Sequence, residues 1–299
     1  MEENNNQKKR VFVFNKTYVI ISLVWMLTFA TSTKFHSFVV TGFIYYTSVL
    51  GDSKKKDEKD NKKTKTVKVI EPKDEMFEKT MIGLGDSIMF GKGTDGYTVA
   101  QQIGDKHSMT VHDYSLSGAT MAYLKRKEGN NRYNIYEQVE EAIKNIKKAD
   151  YIIFNGGTND IIPKLKIKMG NITKDFDEER DITTFCGAME EAIYLLKKNY
   201  PNATIVYVRS HNMKRRDYES QLVCGDIAIK ICQKWGIGYA DVFNDSDFNT
   251  FLERYSQYTA TTGEYPTGDL VHPSKEGYEL FYIPLIEDAM REISNRKSY

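Results

Sequence analysis

From Glu78 onward the chain alternates short apolar runs with longer stretches of helical periodicity, and this alternation restricts the fold more than any other feature. Five runs read as strands: Thr80–Leu84, Thr110–Tyr114, Asp150–Asn155, Ala203–Arg209 and Gly238–Val242. Between them lie helical patterns at Thr98–Lys106, Tyr133–Lys148, Thr183–Asn199 and Tyr218–Trp235. The second of these carries Ile135, Val139, Ile143 and Ile146 at helical spacing, and Tyr200-Pro201 stops the third. A last helix from Ser274 sets Tyr278, Phe281, Tyr282, Leu285 and Ile286 on one apolar face. Strands that are apolar throughout are buried on both faces, and parallel strands need helical crossovers. The pattern therefore predicts an α/β chain with a five-stranded parallel sheet covered by helices on both sides.

The first 75 residues follow a different rule. A basic start (Lys8, Lys9, Arg10) leads into an apolar run from Tyr18 to Ala30, and a second run covers Phe38 to Leu50. Each is about 13 residues long, short of the ~20 that span a bilayer as a helix. Three readings stand side by side. Ala30-Thr31-Ser32 offers a small-x-small cleavage site, which would make the first run a signal-peptide core. One longer tilted helix would instead anchor the chain with its basic end inside. Both runs together would form a membrane hairpin. The preferred expectation is an N-terminal hydrophobic helix that anchors an extracellular domain, with secretion after cleavage as the alternative. Residues 1–50 form the anchor or signal region, residues 51–75 a lysine-rich solvated linker, and residues 76–299 the folded domain.

Composition narrows the function classes. With 42 basic and 41 acidic residues the formal net charge is +1, which gives no general attraction to nucleic acid, so no nucleic-acid partner is expected. The three cysteines, Cys186, Cys224 and Cys232, have no metal-ligand spacing and read as small buried hydrophobes.

Ligand sites in an open parallel sheet form at the carboxyl ends of the strands. The first strand ends in Gly85-Asp86-Ser87, and the loop after the second contains Ser117-Gly118. The third ends in Gly156-Gly157-Thr158-Asn159-Asp160, and the approach to the last helix reads Gly268-Asp269-Leu270-Val271-His272-Pro273. The tripeptide Gly-Asp-Ser is weak by itself. A second copy, Gly51-Asp52-Ser53, lies between an apolar run and the linker without a strand before it or a helix after it. Ser87 has both.

A serine hydroxyl needs a positioned base to attack at neutral pH. The five histidines are His36, His107, His112, His211 and His272. His36 is in the N-terminal region, while His107 and His112 flank the start of the second strand, at the wrong end of the sheet. His211 follows the fourth strand but has no carboxylate placed to orient it. His272 has Asp269 three residues earlier, close enough to hold the imidazole tautomer. Three donors suit a developing oxyanion: the backbone N–H of Ser87, the backbone N–H of Gly118 and the side-chain amide of Asn159. A turn glycine, a helix cap and a surface histidine before a proline are the bland readings of Gly118, Asn159 and His272. None explains four polar blocks at one sheet edge.

As a set, GDS at 85–87, Gly118, GTND at 157–160 and DLVH at 269–272 resemble the SGNH (GDSL-type) hydrolase superfamily, in order and from about Thr80 to the C-terminus. The resemblance implies a flavodoxin-like three-layer α/β/α sandwich in which Ser87, Gly118, Asn159 and His272 carry the four family roles and Asp269 completes the triad. It implies an esterase that needs no metal or organic cofactor. Two segments are expected to shape the pocket: Ile161–Arg180, long for a loop and either a solvated excursion or a lid, and Ser256–Gly268, rich in Tyr and Thr. The first expectation for substrate is an acyl, specifically acetyl, ester on a cell-surface or exported glycan. A lysophospholipase or thioesterase acting on lipid esters, an O-acetyltransferase using the same triad, and a non-catalytic binding module are the alternatives.

Overall fold

The computed structural model describes residues 74–124 and 134–296. The N-terminal apolar runs, the linker, His36 and Ser53 lie outside the described residues, as do the boundaries placed at residues 50 and 75. Among the described residues no helix is long and apolar enough to cross a membrane.

Five strands, β1 (Thr80–Leu84), β2 (Thr110–Asp113), β3 (Tyr151–Phe154), β4 (Thr204–Arg209) and β5 (Gly238–Asp241), form one sheet in the order β2-β1-β3-β4-β5. Every neighbouring pair is parallel. The chain moves from β1 outward to β2, then crosses back to β3 on the other side. The loops leaving β1 and β3 therefore part at this reversal, which is where doubly wound sheets open a crevice.

Side chains alternate across the strands and divide the core. Ile82 and Leu84, Ile152 and Phe154, and Ile205 and Tyr207 face one helix layer. That layer comprises α2 (Ile135–Asn145), α3 (Phe185–Asn199) and α4 (Tyr218–Trp235). Met81, Ile153, Val206, Val208 and Ala240 face the other way. They pack on α1 (Val99–Lys106) and the terminal α5 (Ile283–Arg296). The three-layer α/β/α sandwich expected from the sequence is the fold observed. All three cysteines are buried and free, as their apolar surroundings in the sequence indicated.

Three of the helices, α1, α3 and α4, begin at side-chain caps. Thr98, Thr184 and Asp217 accept from Gln101 N, Gly187 N and Ser220 N respectively, which satisfies donors that have no partner within the helix. The second helix is shorter than the expected Tyr133–Lys148: Ile146 turns extended, and its carbonyl accepts from Tyr200 Oη at 2.9 Å. Ser274 caps one turn, Lys275–Gly277, which widens into a π-helical turn at Tyr278–Tyr282 before α5.

The segment after β3, largely exposed, is anchored to the core through part of its apolar side chains. Ile161, Met169, Ile172 and Ile182 pack against the core beside α3 and α4. Phe176 meets Trp235 edge-on, with ring centroids 5.0 Å apart. Buried Glu190 ties the segment down: it accepts from Thr173 N at 2.8 Å, Lys234 Nζ at 2.7 Å and Trp235 Nε1 at 3.0 Å. Trp235 is the last residue of α4, just before β5 begins, so this strap reaches the amino end of the sheet, opposite Ser87.

Candidate active site

Gly85-Asp86-Ser87 leaves β1 as a turn fixed by side chains from three other elements. Gln138 of α2 accepts from Gly85 N at 2.7 Å and donates to Gly85 O at 2.9 Å. Asn155, just past β3, accepts from Asp86 N at 2.9 Å and donates to Asp86 Oδ1 at 3.0 Å. Tyr278 Oη, from the π turn, donates to Ile88 O at 2.6 Å. Asp86 Oδ1 also accepts from Ile88 N at 2.8 Å, capping the helical turn that starts at Ser87. Ser87 N–H donates to no group among the described residues, and Ser87 Oγ lies 2.9 Å from His272 Nε2.

His272 is presented by a closed loop. Ala260 N donates to His272 O at 2.7 Å and Asp269 N donates to Ala260 O at 2.8 Å, so the Ser256–Gly268 segment is joined to the Asp269–His272 backbone. Gly268 makes the tight approach with φ +113; a Cβ there would sit 2.2 Å from Ser256 O. His272 Nδ1 lies 2.5 Å from Asp269 Oδ2, while Asp269 Oδ1 accepts from the backbone N–H of Val271 at 3.0 Å and of His272 at 2.8 Å. Burial acts to raise the Asp269 carboxyl pKa, but the His272 ring and those two backbone donors outweigh it and hold the group below its ordinary value. The carboxylate is thus kept ionised and aimed at the imidazole.

Gly118 and Asn159 meet across one residue. Leu116-Ser117-Gly118-Ala119 is a turn closed by Ala119 N donating to Leu116 O at 3.0 Å, with Gly118 at φ +86 in the third position, where a type II turn needs glycine. Leu116 N donates to Gly85 O at 2.9 Å, holding this turn against the one that bears Ser87. Asn159 Nδ2 donates to Ala119 O at 2.7 Å, which leaves its second amide hydrogen for another acceptor. Buried Asp160 secures the arrangement: its carboxylate accepts from Met121 N at 2.9 Å, Ala122 N at 2.9 Å and Gly157 N at 3.1 Å. Burial pushes its pKa up to about 6, against the pull of those three donors.

All five residues picked from the sequence are therefore found at the carboxyl end of β1 and β3 or beside it. The remaining described histidines are elsewhere in role. His107 sits between Asp74 (2.6 Å) and Glu287 (3.1 Å) at the end of α1. His112 is inside β2. His211 is fully buried, stacked on Phe248, with Nδ1 2.7 Å from Tyr282 Oη; burial and the nearby His272 depress its pKa to about 3, so it is neutral. It braces the loop after β4 through Tyr282, whose hydroxyl also accepts from His211 N at 3.1 Å.

Gln138, Asn155 and Tyr278 went unremarked as site-builders in the sequence. Gln138 carried a signal, being a polar residue in the stripe Ile135, Gln138, Val139, Ala142 that α2 buries. Asn155 carried another, as an amide directly after an apolar strand. Among the described residues no group of three or more His, Cys, Asp or Glu side chains is placed to hold a metal ion.

Comparison with known proteins agrees with this architecture. A protein of Lactobacillus plantarum of known structure superimposes with a TM-score of 0.57 at 16% identity, over 72% of this chain and 98% of its own. A structure described as a possible lipase from Chitinophaga pinensis superimposes with a TM-score of 0.51 at 15% identity, over 72% of this chain and 99% of its own. At these identities the likeness is one of fold. No curated protein matches the chain. The sequence itself matches the GDSL-like Lipase/Acylhydrolase family over residues 84–280, from the end of β1 to the π turn, and the chain is a serine ester hydrolase of that family.

Proposed function

We propose that Ser87, His272 and Asp269 are the catalytic triad and that the enzyme removes acyl groups, acetyl foremost, from a polar carbohydrate-type alcohol. The hydrogen-bonded line from Asp269 through His272 to Ser87 carries the reading. His272 Nε2 takes the Ser87 proton as Oγ attacks the ester carbonyl, and Asp269 stabilises the imidazolium that results. The oxyanion is received by Ser87 N–H, Gly118 N–H and the Asn159 amide. Collapse expels the alcohol, which takes the proton from His272. Water, deprotonated by the same imidazole, then releases the acid and restores Ser87. No metal or organic cofactor enters these steps.

A serine-directed fluorophosphonate should label the wild type and leave Ser87→Ala unlabelled; equal labelling overturns the assignment. Hydrolysis of 4-nitrophenyl acetate should fall by roughly 100- to 1000-fold in Asn159→Ala, the usual effect of losing one oxyanion donor.

The polar preference rests on the site's border, where Tyr265 and Thr262 of the Ser256–Gly268 segment close a turn beside Asp269. A second reading, a lipid-type esterase, is favoured by one observation. A groove of about 450 Å³ opens beside Asp160, walled by Ile161, Ile162, Ile167, Met169 and Val223. A series of 4-nitrophenyl esters from acetate to palmitate separates the two: kcat/KM that falls with chain length supports the deacetylase, and a rise supports the lipid esterase. An O-acetyltransferase would divert the acyl-enzyme to an added sugar alcohol in the same assay. We place residues 1–50 as a membrane anchor and 51–75 as its linker, with the catalytic domain outside the cell. Protease digestion of the domain on intact cells tests this, and protection overturns it.

A further inference from the structure

Arginines among the described residues divide by what neutralises them. Arg180 pairs with Glu191, Arg209 with Asp226 and Asp241, Arg291 with Glu287 and Asp288, and Arg296 with Glu292. Arg215 and Arg254 are exposed, with water to solvate them. Arg216 differs from both groups, being half-buried without an ion-pair partner among the described residues.

Its position is fixed. Arg216 Nε donates to Thr158 O at 3.1 Å, the carbonyl directly before Asn159, and Nη1 donates to Arg215 O at 3.1 Å. Nη2 donates to nothing among the described residues. The guanidinium is thus bonded to the turn that carries Asn159, at the carboxyl end of β3. Burial, the largest influence, lowers its pKa, while Asp86 and Asp269 act from nearby to raise it. Neither carboxylate pairs with it: Asp86 is held through Oδ1 by Asn155 and Ile88 while its buried Oδ2 takes no hydrogen bond among the described residues, and Asp269 is held by His272. Next to it, the Arg215 guanidinium lies 4.4 Å over the Tyr265 ring, bridging the loop after β4 to the loop that presents Asp269. With Lys214, three consecutive cations lie in the loop after β4.

Holding a cation half out of water is unfavourable unless an anion or well-placed acceptors compensate. Two carbonyls partly compensate Arg216, and the Nη2 N–H groups remain to donate to a carboxylate or phosphate oxygen. We infer that this hydrolase selects esters that carry an anionic group, carboxylate or phosphate, close to the scissile bond, and that Arg216 receives that group. The inference rests on the esterase reading above and deepens it: for a carbohydrate, the substrate is an acidic sugar acylated near its carboxylate or phosphate.

Matched esters test it. On the alcohol side, 4-acetoxybenzoate and 4-acetoxyphenyl phosphate are compared with neutral methyl 4-acetoxybenzoate. On the acyl side, mono-4-nitrophenyl succinate is compared with 4-nitrophenyl butyrate. Wild type should favour the anionic member of at least one pair by roughly 10- to 100-fold in kcat/KM, the range set by a hydrogen bond to a charged group. The pair that responds identifies the side and the kind of anion. In Arg216→Gln the ratio should collapse towards unity through KM, and Arg216→Lys should restore part of it. A purely positioning role through Thr158 would lower charged and neutral esters together and leave the ratio intact, which overturns the inference. So does a wild type that ignores charge, a result independent of whether any variant folds. Turnover of 4-nitrophenyl acetate without charge preference removes this inference alone. No turnover and no fluorophosphonate labelling removes the esterase reading and this inference with it.

Discussion

Two long segments follow strands on the same side of the fold, and they do opposite things. The strap at 161–182 begins two residues after Asn159 and then leaves, ending its run against Trp235 and Glu190 at the amino end of the sheet. The Ser256–Gly268 segment stays, exchanging backbone hydrogen bonds with Asp269 and His272 through Ala260. Loop length marks both as candidates for function. What separates them is the identity of the groups their backbones bond: helix side chains in one, Asp269 and His272 in the other.

Four substitutions sharpen this contrast, and the two at the end of the second segment and just after it should act on rate. Asp269→Asn keeps the shape but removes the charge and the acceptor that fixes the His272 tautomer. We expect kcat on 4-nitrophenyl acetate to fall by roughly 10³- to 10⁴-fold. The same variant has a signature in stability. The carboxyl pKa is held below its ordinary 3.8, so its contribution is fully present above that value and lost as pH falls through the lower folded-state value. The difference in Tm between wild type and Asp269→Asn should be constant from about pH 5 to 8 and narrow below about pH 4. Gly268→Ala adds a Cβ 2.2 Å from Ser256 O at φ +113, which must displace Asp269. Steady-state kinetics should show a loss of roughly 100-fold, the usual result of misplacing a catalytic group by about an ångström.

In the strap the effects should appear in stability with rate spared. Glu190→Gln leaves Lys234 without its ion pair and Thr173 with a weaker acceptor, and denaturant unfolding should show a loss of about 2 kcal/mol. Phe176→Ala removes the edge-on contact with Trp235, for about 1 kcal/mol. If either strap variant lowered kcat/KM on 4-nitrophenyl acetate by more than about 10-fold, the division drawn here would fail, because a stability change of this size leaves the native state dominant.

Chain order explains which parts of the site were readable. Each of Ser87, Gly118 and Asn159 follows a strand directly, and the β/α pattern alone locates the carboxyl ends of strands. Asp269 and His272 are three residues apart, so their contact is local. The supports are not local: Asn155 meets Asp86 across 69 residues, Gln138 meets Gly85 across 53, and Tyr278 reaches Ile88 across 190. Nothing in a single sequence ties those pairs together. The anchoring of the strap was unreadable for another reason. Its anchors Ile172, Phe176 and Ile182 are embedded in a run of charge from Lys174 to Asp181, so no sustained apolar pattern separates them from a solvated loop.

The tyrosines of the π turn bear on timing. Tyr278 seats the turn that bears Ser87 and Tyr282 seats the His211 loop, while His272 lies 185 residues after Ser87. During synthesis Ser87 leaves the ribosome long before His272 or Tyr278. A chain interrupted anywhere between them holds a serine with ordinary reactivity, unable to acylate itself on passing esters. Esterase activity therefore requires the segment from Asp269 to Tyr282 to have been made and docked beside Ser87.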